Sequence, residues 1–437
     1  MRRHHQSLLF LAVTTAATTP LANASELQDA FVKDANLSLQ SRFATITREF
    51  KEAPQTDREQ SVLGLRFKYE TGKIADSIRL VTSIYHVEEV YTSGAAANDL
   101  LPVNPAGDQE ERFTKFGEAY VELTPFKNFS AKVGYQPIKS LLKSSSGQRA
   151  IPDTYQGISA AYKLGDVTLY SQWYNKWSRR HDKDSEKFTT DLGAEIDHIW
   201  INGLTYKKDA LTVDAEILKS ANFLQKTGLR ASYYWPLGED QRFTAKAGVF
   251  TSDDDGSLFV VGAEAGELDD EDAAAVGSPS NNNGFGAYVQ GIWDYHDWKF
   301  TTAVSKFDET WIEDNHSGDH GTNPFPTRSI IFPDFSNSNE TAYLVGVEYD
   351  WHKWVPGLST AFNYSKGEDI ENSVDKSLGE GSENYREIFI KYNPNWLKGL
   401  AFQWRIHDYR GKKTGNVDGV KGDDFDNRIF VDYTYKF

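Results

Sequence analysis

Basic side chains at alternate positions of short apolar segments are the groups in this sequence best placed to act on a solute. Alternate side chains of a β-strand lie on one face of a sheet. Rows of Arg and Lys along a pore wall attract anions and pass them on without a deep trap. The predicted basic ladder consists of Arg42, Arg66, Lys68, Arg79, Lys132, Arg230, Lys246 and Arg405.

Signatures of covalent chemistry are absent or weak. The sequence has no Gly-x-Ser-x-Gly, His-Glu-x-x-His or phosphate-binding Gly-x-x-x-x-Gly-Lys-Ser/Thr motif. His316 and His320 have a spacing that a metal could use, but a solvated loop is the preferred interpretation. The acidic run 253–256 lacks the spacing and the closing Glu of a calcium loop. His198 and His407 lie in predicted strands without a nucleophile partner, so we predict no enzyme, metal site or cofactor.

The composition excludes several classes of protein. Length alone, 437 residues, predicts two or three soluble domains, but 26 Phe, 22 Tyr and 11 Trp are spread along a hydrophilic chain. No apolar run in the body of the chain reaches the roughly 18 residues of a membrane-spanning helix. The absence of Cys excludes disulfides and Cys-ligated metals, and a net charge of -16 argues against nucleic acid as a partner.

The first residues have the pattern of an export signal. Two Arg precede an apolar run at 8–13, and small residues at 22–24 supply a cleavage site. We therefore predict a signal peptide at 1–24 and a single exported domain at 25–437.

The body of the chain alternates between apolar and polar residues with a period of two, which predicts β-strands. Counted from Asn36, eighteen such strands can be assigned. Short connections are predicted at 71–76, 124–128, 164–166, 207–209, 237–241, 295–297, 352–357 and 393–399. They alternate with mostly longer ones, of which the most polar are 89–112, 252–283, 308–339 and 409–426. This alternation predicts an all-β fold, a transmembrane antiparallel β-barrel with short periplasmic turns and long extracellular loops.

Aromatic residues near strand ends favour a membrane barrel over a soluble secreted β-protein. The Trp residues expected in an interfacial girdle are Trp173, Trp177, Trp235, Trp293, Trp298, Trp351, Trp354, Trp396 and Trp404. The last strand places Ile429, Val431, Tyr433, Tyr435 and Phe437 on one face. It resembles the terminal strand by which outer-membrane barrels are recognised for assembly. We therefore expect the outer membrane of a Gram-negative bacterium.

A barrel of sixteen to eighteen strands encloses an aqueous channel unless loops narrow it. Acidic residues on the inner face are expected to form a wall opposite the basic ladder, and the resulting transverse field suits zwitterions and polar solutes. They are Glu70, Glu118, Glu122, Asp214, Glu216, Glu348, Asp350 and Asp432. The alternative is that these charges only solvate the lumen and pair across it.

Two stretches resemble the OprD family of outer-membrane porins. Residues 134–144, continued by Arg149, Pro152, Thr154, Tyr155 and Gly157, are similar to that family's strand-and-third-loop motif. Residues 229–256 are similar to its long hairpin. The resemblance implies an eighteen-stranded monomeric or trimeric channel, constricted by a third loop at 139–153 with help from the seventh long loop at 308–339. It also implies passage of amino acids and other carboxylates or, in chitoporin-like relatives, of chito-oligosaccharides.

Within the third loop, Lys143 and Arg149 are the candidates for the positive side of the constriction, and Asp153 is the nearest acidic candidate. Ser144 and Tyr155 complete the predicted constriction set. Each charged residue has an equal alternative role, which is to tie the loop to the barrel wall. The aromatic segments 155–157, 173–176 and 354–358 resemble the sugar-passing branch, although Trp and Tyr near strand ends are more often girdle residues.

The sequence is compatible with three functions. A substrate-selective diffusion porin would conduct ions, a β-barrel enzyme would need a positioned His, and a binding or adhesion barrel would act through its acidic loops with a closed pore. The expected partners are anionic or zwitterionic small solutes or oligosaccharides, outer-membrane lipid with lipopolysaccharide, and the barrel-assembly machinery. Small outward residues in the early strands permit a homotrimer, but lipid would accept them too.

Overall fold

The computed structural model describes residues 24–51, 57–94, 100–104, 106–260, 282–316, 322–328, 334–417 and 419–437. Except for Ala24, the predicted signal peptide lies outside these residues, and so do His320 and most of the loop 252–283. A five-residue α-helix, Ala24–Gln28, and a π-helical turn, Asp29–Lys33, precede the first strand. None of the described helices is long and apolar enough to cross a membrane.

Eighteen long antiparallel strands make up the sheet. They are β1 (Asn36–Phe50), β2 (Arg58–Glu70), β3 (Ile78–Gly94), β4 (Arg112–Leu123), β5 (Phe129–Gln136), β6 (Thr154–Leu164), β7 (Val167–Ser178), β8 (Ile199–Lys208), β9 (Leu211–Ser220), β10 (Leu224–Gly238), β11 (Gln241–Asp254), β12 (Asn283–Tyr295), β13 (Trp298–Phe307), β14 (Thr341–Asp350), β15 (Leu358–Glu371), β16 (Gly379–Tyr392), β17 (Leu400–Gly415) and β18 (Asp424–Lys436). Shorter strands, Ser185–Glu186, Phe188–Thr189 and Glu195–Ile196, lie in the loop after β7. A single 3-10 turn, Lys376–Leu378, precedes β16.

The sheet closes on itself into a barrel. Each strand pairs with the next along the chain, and β18 returns to pair with β1 from Ser38 opposite Lys436 to Phe50 opposite Asp424. Closure pairs the backbone groups that an open edge would leave exposed, and this is a condition for a sheet that crosses a lipid bilayer. The predicted fold class and the predicted number of strands are confirmed.

Connections of two lengths alternate around the barrel. At one rim, residues 165–166, 209–210, 239–240 and 296–297 form two-residue turns. Asp209, Asp240 and His296 adopt positive φ there, as tight antiparallel turns require. The opposite rim carries mostly longer loops, among them the third loop at 137–153, called L3, and the seventh at 308–340, called L7.

The outer face is apolar and ends in an aromatic band at the rim of short turns. Trp235, Trp293 and Trp298 are exposed, and each contacts an aromatic ring on the adjacent strand. The prediction that Trp177 belongs to this girdle is wrong, because Trp177 is buried inside the barrel. A register shift between β6 and β7 at Gln156 moves the end of β7 by one residue, which places Trp177 on the inner face.

The largest hydrophobic cluster lies inside the barrel, beneath the inward-folded loops. Leu141 and Leu142 of L3 and Phe325 of L7 pack with inner-face side chains that include Phe250 and Phe307. A lumen of this width cannot be filled by wall side chains alone. The loops therefore supply the core of the channel interior.

Candidate functional site

L3 is attached to the inner face of the barrel at two places, one at β1 and β2 and the other at β9. At β1, the Arg42 guanidinium donates to the carbonyl oxygens of Gly147 at 2.5 Å and Arg149 at 2.9 Å. On the neighbouring β2, Gly64 leaves room for the loop, because a Cβ there would lie 2.8 Å from the Ala150 carbonyl oxygen. L3 thus lies flat against the inner face of β1 and β2.

The second attachment of L3 is a buried carboxylate on β9, about half-way round the ring from β1. Glu216 accepts hydrogen bonds from the backbone N–H groups of Leu141 at 2.9 Å and Leu142 at 2.8 Å, and from the Ser140 hydroxyl at 2.9 Å. The Tyr170 hydroxyl donates to the same carboxylate. Because its two attachments lie on opposite sides of the ring, L3 extends across the lumen.

L7 enters the lumen from the other side and meets L3. The backbone N–H of Ser144 donates to the Thr322 hydroxyl at 2.7 Å, which joins the two loops directly. The first limb of L7 is held by Lys226 of β10, whose ammonium donates to the Glu313 carbonyl oxygen at 2.6 Å and lies 4.5 Å from the Trp311 ring centroid. Both loops therefore occupy the interior of the barrel.

A cavity of about 490 Å³ lies between L3, L7 and the inner face of the neighbouring strands. Four cationic side chains line it, Lys139 of L3, Arg230 of β10, Lys246 of β11 and Arg328 of L7. The carboxylate in its lining is Asp214, which accepts from Arg230 at 2.8 Å. The cavity is therefore strongly positive.

Half of the basic ladder is paired with inner-face carboxylates. The ion pairs are Arg42 with Asp432 at 2.6 Å, Lys68 with Glu118 at 3.0 Å and Glu70 at 3.1 Å, Arg79 with Glu122 at 3.3 Å, and Arg230 with Asp214 at 2.8 Å. The expectation of an acidic wall opposite a basic wall is wrong, since these acids alternate with the bases on adjacent positions. Arg42, Arg79 and Arg230 stand opposite their acids on adjacent strands. Lys68 reaches Glu70 on its own strand and Glu118 two strands away, so charge is compensated locally.

The other ladder residues form no ion pair among the described residues. In the part of the chain that the structure describes, no carboxylate lies within ion-pair distance of Arg66, Lys132, Lys246 or Arg405. Lys132 lies 5.0 Å from the Tyr120 ring centroid, and the Arg405 guanidinium lies 4.5 Å from that of Phe389. These four side chains leave net positive charge on the wall.

The charged residues predicted for the constriction are buried within L3 and do not line the cavity. Lys143 is 0% exposed, with its ammonium 5.0 Å from the Tyr155 ring centroid, and Arg149 is also buried. Buried Asp153 accepts from the backbone N–H of Ser146 at 2.6 Å and from the Tyr155 hydroxyl at 2.6 Å. These placements correspond to the alternative role, in which the residues fix the loop to the wall.

Lys139 and Arg328 were not among the predicted ladder residues. Both lie in loops, where no alternation of apolar and polar residues identifies the face that a side chain occupies. Lys139 stands within the segment that resembles the OprD family, and this was the signal available for it. Arg328 carried no signal of this kind.

The aromatic residues considered for sugar stacking do not line the cavity. Trp173 and Trp354 are exposed, whereas Tyr155 and Tyr174 are buried. Tyr170 and Tyr288, which were not considered, do line it.

His316 is not in a solvated loop, and that interpretation was wrong. Its ring is 1% exposed and lies 4.5 Å from each of the Trp177 and Phe188 ring centroids. L7 folds inward here, and burial of the ring among aromatic side chains follows from that path. Among the described residues, no three His, Asp or Glu side chains converge as metal ligands.

A closed eighteen-stranded barrel with an apolar exterior, a charged lumen and two loops folded into that lumen defines an outer-membrane porin. The family model for outer membrane porins of the OprD family matches residues 29–437. The chain belongs to the OprD family. It is a porin of the Gram-negative outer membrane, through which small solutes pass, and the family and the fold are those of non-enzymatic channels.

Solved structures of similar fold include proteins of Acinetobacter baumannii and Pseudomonas aeruginosa. OccAB1 of Acinetobacter baumannii superposes with a TM-score of 0.81 at 18% identity, covering 93% of this chain and 98% of that chain. OccAB3 of the same organism has a TM-score of 0.77 at 20% identity, covering 93% and 100%. OpdK of Pseudomonas aeruginosa, determined with vanillate, has a TM-score of 0.77 at 18% identity with the same coverage. No protein of curated function matches the chain in sequence.

Proposed function

We propose that this porin is a substrate-selective diffusion channel for small carboxylates, anionic or zwitterionic, and that L3 and L7 form its constriction. The observation that carries the proposal is the cavity between these loops. Four cationic side chains, from Lys139 to Arg328, line it against the single carboxylate of Asp214. A carboxylate entering this space exchanges water for several cations near a low-dielectric wall, which favours anions over cations.

The register of the strands supports passage beyond the cavity. Arg230 stands opposite Gly248 on β11, and Lys246 lies one inward position closer to the rim of short turns. Two residues along a strand span about 7 Å, a distance over which a carboxylate can be handed from one cation to the next. A succession of moderate sites permits release as well as entry.

The same basic ladder is proposed to work in two groups. Arg66, Lys132, Lys246 and Arg405 would act on the solute, because no described carboxylate lies within ion-pair distance of them. Arg42, Lys68 and Arg79 would act mainly through their ion pairs, which keep the wall polar. Arg230 is paired with Asp214 but also lines the cavity, so it would contribute to both roles. The structure of OpdK was determined with vanillate, which is an aromatic carboxylate, so aromatic carboxylates are one class of solute to test on this porin.

An oligosaccharide channel is the second candidate, and one observation favours it. Tyr170 and Tyr288 line the cavity and offer aromatic surface at the constriction. The positive charge of the same cavity gives a neutral sugar no comparable attraction. For this reason carboxylates are the first proposal.

The test is single-channel current from the refolded full-length protein in a planar bilayer. Aromatic carboxylates, amino acids and chito-oligosaccharides are added in turn to one side. Brief blocking events by carboxylates, shortened in Lys246→Gln and unchanged in the control Lys127→Gln at an exposed turn, would support the proposal. Blocking by chito-oligosaccharides alone would favour the second candidate, and inserted protein without current would leave a binding or adhesion barrel.

Two partner proposals concern the outside of the barrel. The last strand ends with exposed Tyr435 and Phe437, a pattern we propose to be recognised by the barrel-assembly machinery. Deletion of Phe437 is expected to lower the yield of heat-modifiable barrel in outer membranes. A homotrimer is a separate proposal, tested by light scattering of the detergent-solubilised protein.

A further inference from the structure

The return limb of L7, residues 334–340, is attached to the wall by a pair of buried acidic side chains. Glu340 ends the limb and immediately precedes β14, and Glu383 lies on β16. Glu340 is 0% exposed and Glu383 is 1% exposed. Phe335 of the limb packs with Tyr385 and Tyr409 in the same region. The limb is therefore attached to the wall at a buried site that contains two carboxyl groups.

The two carboxyl groups converge on one amide. The Asn337 side-chain N–H donates to Glu340 Oε2 at 2.9 Å and to Glu383 Oε1 at 3.3 Å, and the backbone N–H of Asn337 donates to Glu340 Oε2 at 2.9 Å. Tyr409 donates to Glu383 Oε2 at 2.8 Å. Among the described residues, no N–H or hydroxyl group donates to Glu340 Oε1, which contacts the carboxyl group of Glu383.

Gly367 on β15 makes this approach feasible. A Cβ at that position would lie 1.9 Å from Glu340 Oε1 and 3.1 Å from Glu383 Cγ. No side chain larger than hydrogen can occupy the position without displacing both groups. The carboxyl pair is therefore built into the wall and is not a chance contact of two surface side chains.

Charges on the surrounding elements do little to compensate the pair. Asp334 of the same limb adds negative charge, and Lys421 of the loop 416–423 is the cation whose field reaches Glu383. On β15, Lys366 lies on the outer face and pairs with Glu368. On β13, the backbone N–H of Phe307 donates to the Glu340 carbonyl oxygen, and on β14, Ala342 packs in the cluster of Phe335, Tyr385 and Tyr409; neither Phe307 nor Ala342 carries a charge.

We propose that the buried Glu340–Glu383 pair is protonated while the return limb of L7 is docked, and that loss of a proton from this pair to water releases the limb and widens the constriction. This inference rests on the proposed function, because it concerns regulation of the same constriction. With Glu340 protonated, the buried pair carries no charge. Loss of the Glu340 proton places a negative charge in the buried site, beside Glu383 and near Asp334, and this disfavours the docked limb.

The direction of the pH dependence follows from the burial of Glu340. Burial raises the pKa of its carboxyl group from 4.5 to about 7. The hydrogen bonds from Asn337 and from the Glu383 carboxyl group oppose this rise, and the charge of Asp334 adds to it. The docked limb binds more protons than the released limb between these values, so docking weakens as pH rises through this range. From about pH 6 to about pH 8.5, the ratio of released to docked limb is expected to rise about tenfold.

The experiment measures single-channel current and protease cleavage of L7 in the full-length refolded protein across this pH range. In the wild-type protein, the fraction of time in a wider substate and the rate of cleavage should both rise about tenfold. Glu340→Gln removes the titrating group and should keep both readouts at their low-pH values. Glu383→Gln should do the same. Glu368→Gln, an acid of the outer face one residue from Gly367, is the matched control and should follow the wild type.

A flat wild-type response, or a rise in Glu340→Gln equal to that of the wild type, would overturn the proposal. Absence of current at every pH would instead refute the proposed porin function, and cleavage of L7 would still decide whether the carboxyl pair controls the limb.

Discussion

Replacing Glu216 by Ala is expected to release L3 from the wall of β9. The change removes a buried carboxylate that accepts from two backbone N–H groups of L3 and from the Ser140 and Tyr170 hydroxyls. A buried donor left without an acceptor costs about 1–3 kcal/mol. For the N–H groups of Leu141 and Leu142 together, the docked loop would lose about 2–6 kcal/mol if no water replaces the carboxylate.

The lower end of this range is large enough to measure. A change of about 2 kcal/mol multiplies the ratio of released to docked L3 about thirtyfold, because about 1.4 kcal/mol corresponds to a factor of ten. The assay is single-channel recording, in which Glu216→Ala should show a larger mean conductance and frequent transitions. Glu216→Gln keeps one acceptor oxygen and should be intermediate.

The matched control is Glu348→Ala. Glu348 is also an inner-face carboxylate, and it pairs with Lys299 on the wall without contacting L3. Its removal changes the charge of the lumen by the same amount as removal of Glu216. If Glu216→Ala and Glu348→Ala give the same conductance and the same noise, the loop-anchor argument fails and only the charge effect remains.

Three further predictions test the wall and the loops separately. Lys299→Gln should lower the permeability of anions relative to cations, and Lys299→Gln combined with Glu348→Gln should restore the wild-type reversal potential in a salt gradient, because the two charges compensate each other. Gly64→Ala should displace L3 and alter the conductance, since its Cβ would lie 2.8 Å from the Ala150 carbonyl oxygen, whereas Gly147→Ala has open space and should be neutral. Lys226→Met should raise protease cleavage of L7, because the ammonium group that holds the Glu313 carbonyl oxygen is lost.

The strands could be predicted from the sequence because a closed barrel imposes one rule on every strand. One face meets lipid and the other meets water, so apolar and polar residues alternate, and the connections differ in length at the two rims. The exception is Trp177, where a bulge shifts the register and reverses the face. A bulge leaves no mark in a period-two pattern, so that error could not be avoided from the pattern alone.

The constriction could not be predicted to the same extent, because its geometry depends on where loops fold. Lys143, Arg149 and Asp153 have the residue types of a charged constriction, yet their side chains are buried within L3. Among the described loop residues, the charged ones that line the cavity are Lys139 and Arg328. Loop residues have no fixed periodicity, so neither the buried nor the exposed face of L3 or L7 can be assigned from spacing.

Residues of the basic ladder can either hold a loop against the wall or act on ions in the lumen, and the sequence pattern does not distinguish these two roles. The Arg42 guanidinium is paired with Asp432 and donates to two carbonyl oxygens of L3, so its hydrogen-bonding groups are engaged by the wall and the loop. Lys246 faces the cavity without an ion pair among the described residues. Substitution of Arg42 should therefore alter gating through L3 more than ion selectivity, and substitution of Lys246 should do the reverse. This assignment of roles would be refuted if Arg42→Gln shifted the reversal potential as much as Lys246→Gln and left the current noise unchanged. The ion pair with Asp432 would then not reduce the effect of Arg42 on ion selectivity.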